Sequence, residues 1–237
     1  MTKHLPKPIR AIHFMVLALL MTIGSTVAAK DEILVKKIGH SDYKTACVVL
    51  ITGLIQPSST AAFKEAVEEL NSKDDSECVN SKLVLLSGST GGDLRAAWSI
   101  MQIIRDTNLD TAVGLFPSTE TNPTKIAGNF CYSSCALIFA SGRNRHFLTT
   151  DTNSYILGIH KPSFAQKSEN YLKEEKALDN IKYKLADFYK EIGISPKFVI
   201  SMFQTEFADM KFEQMKNLLI WRVITSFDYP LLWQQLK

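Results

Sequence analysis

Hydrophobic positions along this chain fall into short continuous runs that alternate with stretches of three- and four-residue spacing. Cys47-Val48-Val49-Leu50-Ile51-Thr52-Gly53 is a β-branched run ending at glycine, the pattern of a strand buried on both faces. Pro57-Ser58-Ser59-Thr60 then supplies capping residues ahead of Ala62, Phe63, Ala66, Val67 and Leu70, which share one face of a helix. A polar loop through Asp74, Asp75 and Glu77 leads to a second buried strand, Leu83 to Leu86, which ends in the turn Ser87-Gly88-Ser89-Thr90-Gly91-Gly92. A helix starts about Asp93, with Ala97, Ile100, Met101 and Ile104 facing inward. Thr111 to Phe116 reads as a third strand stopped at Pro117, and Arg145 to Leu148 and Tyr155 to His160 as further short strands. The mixed stretch from Lys30 to Lys44 suits a short N-terminal strand or arm.

After Pro162 the pattern changes. Ser168 to Glu191 is strongly charged, with Leu178, Ile181, Leu185, Phe188 and Ile192 three and four apart and Gly193 as a C-terminal stop. That is a long amphipathic helix whose narrow seam serves either its own domain or a partner. A shorter helix from Pro196 follows, then one over Glu213 to Ile220, and an aromatic tail with Tyr229 and Trp233. Strand and helix alternating in this way predict an α/β fold of stacked βαβ units, with a mostly parallel sheet, right-handed crossovers and a long helix in the C-terminal half. One domain, residues 30–237, accommodates all of it.

Residues 1–29 stand apart. Lys3, Lys7 and Arg10 precede an uncharged run from Ala11 to Ala29 that closes on Ser25-Thr26-Val27-Ala28-Ala29. A basic start, a short apolar stretch and small residues at its end predict a secretory signal peptide cut after Ala29, hence a periplasmic or secreted protein; the alternative is an uncleaved membrane anchor over residues 11–29. The formal net charge of +3 is carried by those three basic residues, so the remainder is formally neutral. Its basicity is therefore no nucleic-acid footprint. His4 and His13 leave with the signal, and His40, His146 and His160 remain.

All four cysteines, Cys47, Cys78, Cys131 and Cys135, lie in the exported part, where disulfides persist. Their spacing is not that of a zinc site, and neither metal nor cofactor is expected. Three pairings are open. Cys47 with Cys78 is favoured because each precedes an apolar strand; Cys131 with Cys135 then brackets Ser133 and Ser134, which requires Cys131 to lie outside the helix that follows. Free buried thiols are the alternative.

Chemistry concentrates in Cys131-Tyr132-Ser133-Ser134-Cys135-Ala136-Leu137-Ile138-Phe139-Ala140-Ser141-Gly142. Small residues ahead of an apolar run read as a loop entering a buried helix near Ser133, with unpaired N–H groups and the positive dipole end at the serine. A serine nucleophile and half an oxyanion hole are placed in this way, although small residues at a helix start also serve simply as caps. The turn at Ser89 to Gly92 is no Walker loop, because Gly91-Gly92 is not followed by Lys-Ser or Lys-Thr, so no ATPase is evident in the chain. Both turns follow neighbouring strands, where parallel sheets build their sites.

In order, Ser89-Thr90-Gly91-Gly92, the Cys131 to Gly142 stretch and Gly158-Ile159-His160-Lys161-Pro162 resemble the proteolytic subunit of the Clp protease, in the ClpP/crotonase superfamily. The chain is more similar still to exported members of that superfamily with a Cys-x-Ser-x-Cys core. The resemblance spans roughly Cys47 to Ile224, with Thr90 in place of the family's proline and a different tail. It implies Ser133 as nucleophile, His160 as general base and Asp209, just before a helix, as the third member. The N–H groups of Ser134 and Gly92 would form the oxyanion hole, with Gly91 making the turn. The activity implied is that of an ATP-independent periplasmic serine peptidase, working through an acyl-enzyme on unfolded or short peptides and assembled as a homo-oligomer. A non-catalytic binding or assembly module on the same fold is the alternative reading. A Ser-Lys mechanism with Lys125 or Lys161 as base and crotonase-type acyl-CoA chemistry fit the residues less well.

Overall fold

The computed structural model describes residues 32–40, 43–72, 82–114, 130–148, 156–164 and 171–226. The signal segment, Cys78, Lys125 and the aromatic tail lie outside the described residues, and with them the Cys47–Cys78 pairing.

A continuous apolar run becomes a strand with two buried faces here. β1 (Glu32–His40) pairs antiparallel with β2 (Tyr43–Ile55), and β2 pairs in parallel with β3 (Lys82–Gly92). The side chains of Val49, Ile51, Val84, Leu86 and Val113 enter the main core, whereas Val48, Leu50, Leu83, Leu85, Ala112 and Leu148 form a second cluster. This odd–even division is the two-residue period of strands, and it explains why no polar residue interrupts these runs.

β3 is the branching element of the eight-stranded, mostly parallel sheet found among the described residues. Its first half, Leu83 to Leu86, pairs with β4 (Asp110–Gly114), which pairs in turn with β6 (Arg145–Leu148). Its second half pairs through Ser89 with Cys131 of β5 (Cys131–Tyr132). The order then continues to β7 (Leu157–Ile159) and β8 (Lys211–Phe212), the last pair antiparallel. Gly53 and Gly88, with φ of +77° and +69°, sit where β3 passes from one set of neighbours to the other, and the β2–β3 register shifts at Gly53. Only glycine adopts that backbone without steric cost.

The fork corrects two expectations. The stretch from Ser87 to Gly92 is not a turn after a strand but the strand's own continuation, paired with Gly53, Leu54 and Ile55. The lack of a side chain on Gly92 permits this, since a Cβ there would collide with the Ile55 carbonyl. Asp209, expected before a helix, instead precedes the two-residue strand β8.

Helices fall where the spacing placed them. α1 (Ser59–Ser72) buries Phe63, Ala66, Val67 and Leu70, and α2 (Leu94–Asp106) buries Ala96, Ala97, Ile100, Met101 and Ile104. Asp93 caps α2, its carboxylate accepting from the Ala96 N–H at 2.7 Å. The short α3 (Ser134–Ala140) is buried at every residue. Its carbonyls are satisfied by side chains from other layers: Thr111 Oγ1 donates to Phe139 at 2.6 Å and the Tyr189 hydroxyl to Leu137 at 2.8 Å. α4 (Tyr171–Glu191) packs on the core through Leu185, Phe188 and Tyr189 and stops at Gly193. α5 (Lys197–Phe203) and α6 (Met215–Ile220) complete the C-terminal half, and none of the described helices is long and apolar enough to cross a membrane.

Candidate active site

Ser133 occupies the single residue between β5 and α3, and its backbone is unusual, with φ +56° and ψ −125°. A non-glycine residue rarely holds such a conformation unless its surroundings impose it. Three contacts do so. The Ser133 N–H donates to the Gly158 carbonyl of β7 at 2.8 Å, and the Ser133 carbonyl accepts from the Ala136 N–H at 3.0 Å. A disulfide joins Cys131 to Cys135 across the turn, with the two Cα atoms 5.2 Å apart and both residues fully buried. Cys131 belongs to β5 rather than to the helix, which is what allows a bridge over so short a separation.

Gly91 lies directly behind this turn. A Cβ there would stand 2.6 Å from the Tyr132 carbonyl oxygen, 2.7 Å from Ser133 Cβ and 2.8 Å from Ser134 N. Its own N–H donates to Ser89 Oγ at 3.2 Å. Gly91, and not Gly92, is thus the glycine pressed against the two serines, while Gly92 is pressed against Ile55. Ser134 opens α3 with its hydroxyl buried and without a hydrogen-bond partner.

β7 carries the next candidate. His160 follows Ile159 directly and is 9 % exposed. Its Nδ1 lies 2.9 Å from the carbonyl oxygen of Lys161, and the Phe207 ring meets the imidazole edge-on with centroids 5.0 Å apart. When Nδ1 carries the proton and donates it to that carbonyl, Nε2 is the basic nitrogen. The structure therefore brings Gly91, Ser133, Ser134, the disulfide and the strand leading to His160 together.

No family model matches the sequence, and no curated protein matches it.

Asp209 stands apart. It is exposed, its N–H donates to the Glu206 carbonyl at 3.0 Å, and no hydrogen bond joins its carboxylate to His160. No hydrogen bond joins Ser133 Oγ to His160 either. Lys161, the alternative base, is engaged in an ion pair with Glu206. Among the described residues no group of three His, Cys, Asp or Glu is placed to hold a metal ion.

Aromatic packing surrounds the site. Tyr132 stacks on Phe130 at 4.8 Å and meets Phe212 edge-on at 5.4 Å. Tyr132 and Phe212 are the cross-strand partners of Gly158, and a Cβ on that glycine would meet the Met210 side chain at 2.7 Å and the Tyr132 ring at 2.9 Å, so these two side chains cover the position that has none of its own. Burial raises the pKa of the Tyr132 phenol. Nothing local in the sequence marks Tyr132 and Phe212 as partners of Gly158, because the three strands become neighbours only in the fold.

Proposed function

We propose that this chain is an exported serine hydrolase of the ClpP/crotonase type, cleaving unfolded or short peptides through an acyl-enzyme on Ser133. The observation that carries the reading is the backbone of Ser133, +56° and −125° at a strand-to-helix turn locked by a disulfide and a glycine contact. A turn of this kind raises a side chain off the sheet edge and aims the first N–H groups of the helix at the same point. Ser133 would attack, His160 Nε2 would take its proton, and the Ser134 N–H would meet the developing oxyanion. A homo-oligomer and a periplasmic location belong to the same proposal, the latter supported by the disulfide.

The test is covalent labelling of the folded protein by fluorophosphonates, with the modified residue located by peptide mapping. Labelling confined to Ser133 and abolished by Ser133→Ala is expected. Folded protein that resists several such probes would refute the reading.

One observation favours a second reading, a non-catalytic binding or assembly module: Ser133 and His160 share no hydrogen bond, and Asp209 reaches neither. Catalytic hydrogen bonds often tighten only when substrate binds, which keeps the hydrolase first. Peptide binding without any labelling would decide for the module.

A further inference from the structure

The residues on either side of His160 are each bonded to a segment that converges on Glu213. Before it, Ile159 pairs with Lys211 of β8. After it, the Lys161 N–H donates to the Thr205 carbonyl at 2.9 Å, and Thr205 Oγ1 donates to the Ser201 carbonyl at 3.0 Å, at the end of α5. Both routes meet at one carboxylate. Lys211 Nζ lies 2.8 Å from Glu213 Oε1 and donates to Ser201 Oγ at 2.7 Å; the Ser201 hydroxyl donates to the same Oε1; Asn217 Nδ2 of α6 donates to Oε2 at 3.0 Å.

The Glu213 side chain is only 2 % exposed. Burial alone would raise its pKa, but the donors from Lys211, Ser201 and Asn217 outweigh burial and hold the carboxyl below its ordinary range. An ionised carboxylate with three donors is a rigid junction. β8, by contrast, has two residues, both exposed, and cannot hold its register on two residues of pairing alone. Beside the contact of the Phe212 ring with Tyr132, the anchoring of the Lys211 side chain is what holds β8 against β7.

We propose that Glu213 is the positioning residue for His160. By fixing Lys211 on one side and the Ser201–Thr205 end of α5 on the other, it keeps Nδ1 on the Lys161 carbonyl and leaves Nε2 as the proton acceptor. The proposal rests on the hydrolase reading for its purpose, but its structural content is measurable without it.

The experiment uses the full chain with 15N-labelled histidine, the His160 ring signals being assigned with His160→Asn. In the wild type at pH 8 the ring is expected as the Nδ1–H tautomer. Glu213→Gln is expected to shift it toward Nε2–H and to slow fluorophosphonate labelling of Ser133 about tenfold or more, with partial recovery in Glu213→Asp. Leu70→Ala, which loosens the buried face of α1, should lower stability and move neither readout. A Glu213→Gln protein that is folded and keeps both the wild-type tautomer and the wild-type labelling rate overturns the proposal. If Glu213→Gln fails to fold, Lys211→Met must produce the tautomer shift, and an unchanged ring overturns the proposal equally. A wild type that is never labelled removes the hydrolase reading, while the ring signals still decide whether Glu213 positions His160.

Discussion

The carbonyl oxygen of Lys161 lies 2.9 Å from Nδ1 of His160, so the next residue in the chain offers the acceptor that a serine triad assigns to a carboxylate. Asp209 is exposed and makes no hydrogen bond to the imidazole. Asp209→Asn should therefore leave the rate of fluorophosphonate labelling at Ser133 within about twofold of wild type, whereas His160→Ala should lower it by about 10² or more. A large loss in Asp209→Asn would mean that the carboxylate swings onto the ring when the site is occupied.

Ser134 gives a prediction of the opposite sign. Its hydroxyl is buried with no partner, and an unsatisfied buried hydroxyl costs about 1–3 kcal/mol. Ser134→Ala should raise stability by about 1 kcal/mol, read from the midpoint of urea unfolding at an unchanged slope. A drop of that size would reveal a partner for the hydroxyl.

Two glycines with positive φ should respond very differently to alanine. At Gly91, φ +86°, a Cβ meets the Tyr132 and Ser133 atoms at 2.6 and 2.7 Å; at Gly193, φ +80°, it meets nothing within 4 Å. Gly193→Ala should cost about 1–2 kcal/mol, the price of the left-handed backbone alone. Gly91→Ala should cost more and should also abolish labelling at Ser133, because the new methyl group displaces the turn. Equal losses of stability and activity in the two variants would contradict the packing described.

Acid should weaken the fold through Asp110. This buried carboxylate would be raised in pKa by burial alone, but the His146 ring 4.0 Å away and hydrogen bonds from Arg143 and Asn144 outweigh that and hold it well below the usual carboxylate range. Arg143 contributes a two-point contact at 2.9 and 3.1 Å, and Asn144 adds its N–H and side chain at 3.2 and 3.1 Å. A depressed native value means the contribution is complete above the unfolded pKa, about 4, and is lost progressively as pH falls toward the native value. Unfolding free energy should decline below about pH 4, and Asp110→Asn should flatten that decline while lowering stability at neutral pH by about 2 kcal/mol. An unaltered acid limb in Asp110→Asn would assign the effect to other carboxylates.

Burial patterns and caps were legible in the residues because each is a local property. The continuous apolar run Val48 to Ile51, the helix start about Asp93 and the helix opening after Ser133 all depend on neighbours within one turn or one strand. Even the Cys131–Cys135 bridge follows from residues four apart, once Cys131 lies in a strand. Roles that depend on a distant partner were not legible. Gly91 and Gly92 look alike in sequence, yet one backs onto the serine turn and the other onto Ile55 of a different strand. The acceptor for His160 is a main-chain carbonyl, which no side-chain pattern announces.

By itself, then, the sequence determined an alternation of strands and helices and a small-residue turn at Ser133 opening a buried helix. Only the tertiary structure decided that β3 divides between two sets of neighbours, that the Ser133 backbone is held at +56° and −125°, and that Glu213 joins the segments bracketing His160. Periodicity is written into consecutive residues, whereas a hydrogen-bond partner from another strand becomes a neighbour only after the chain has folded.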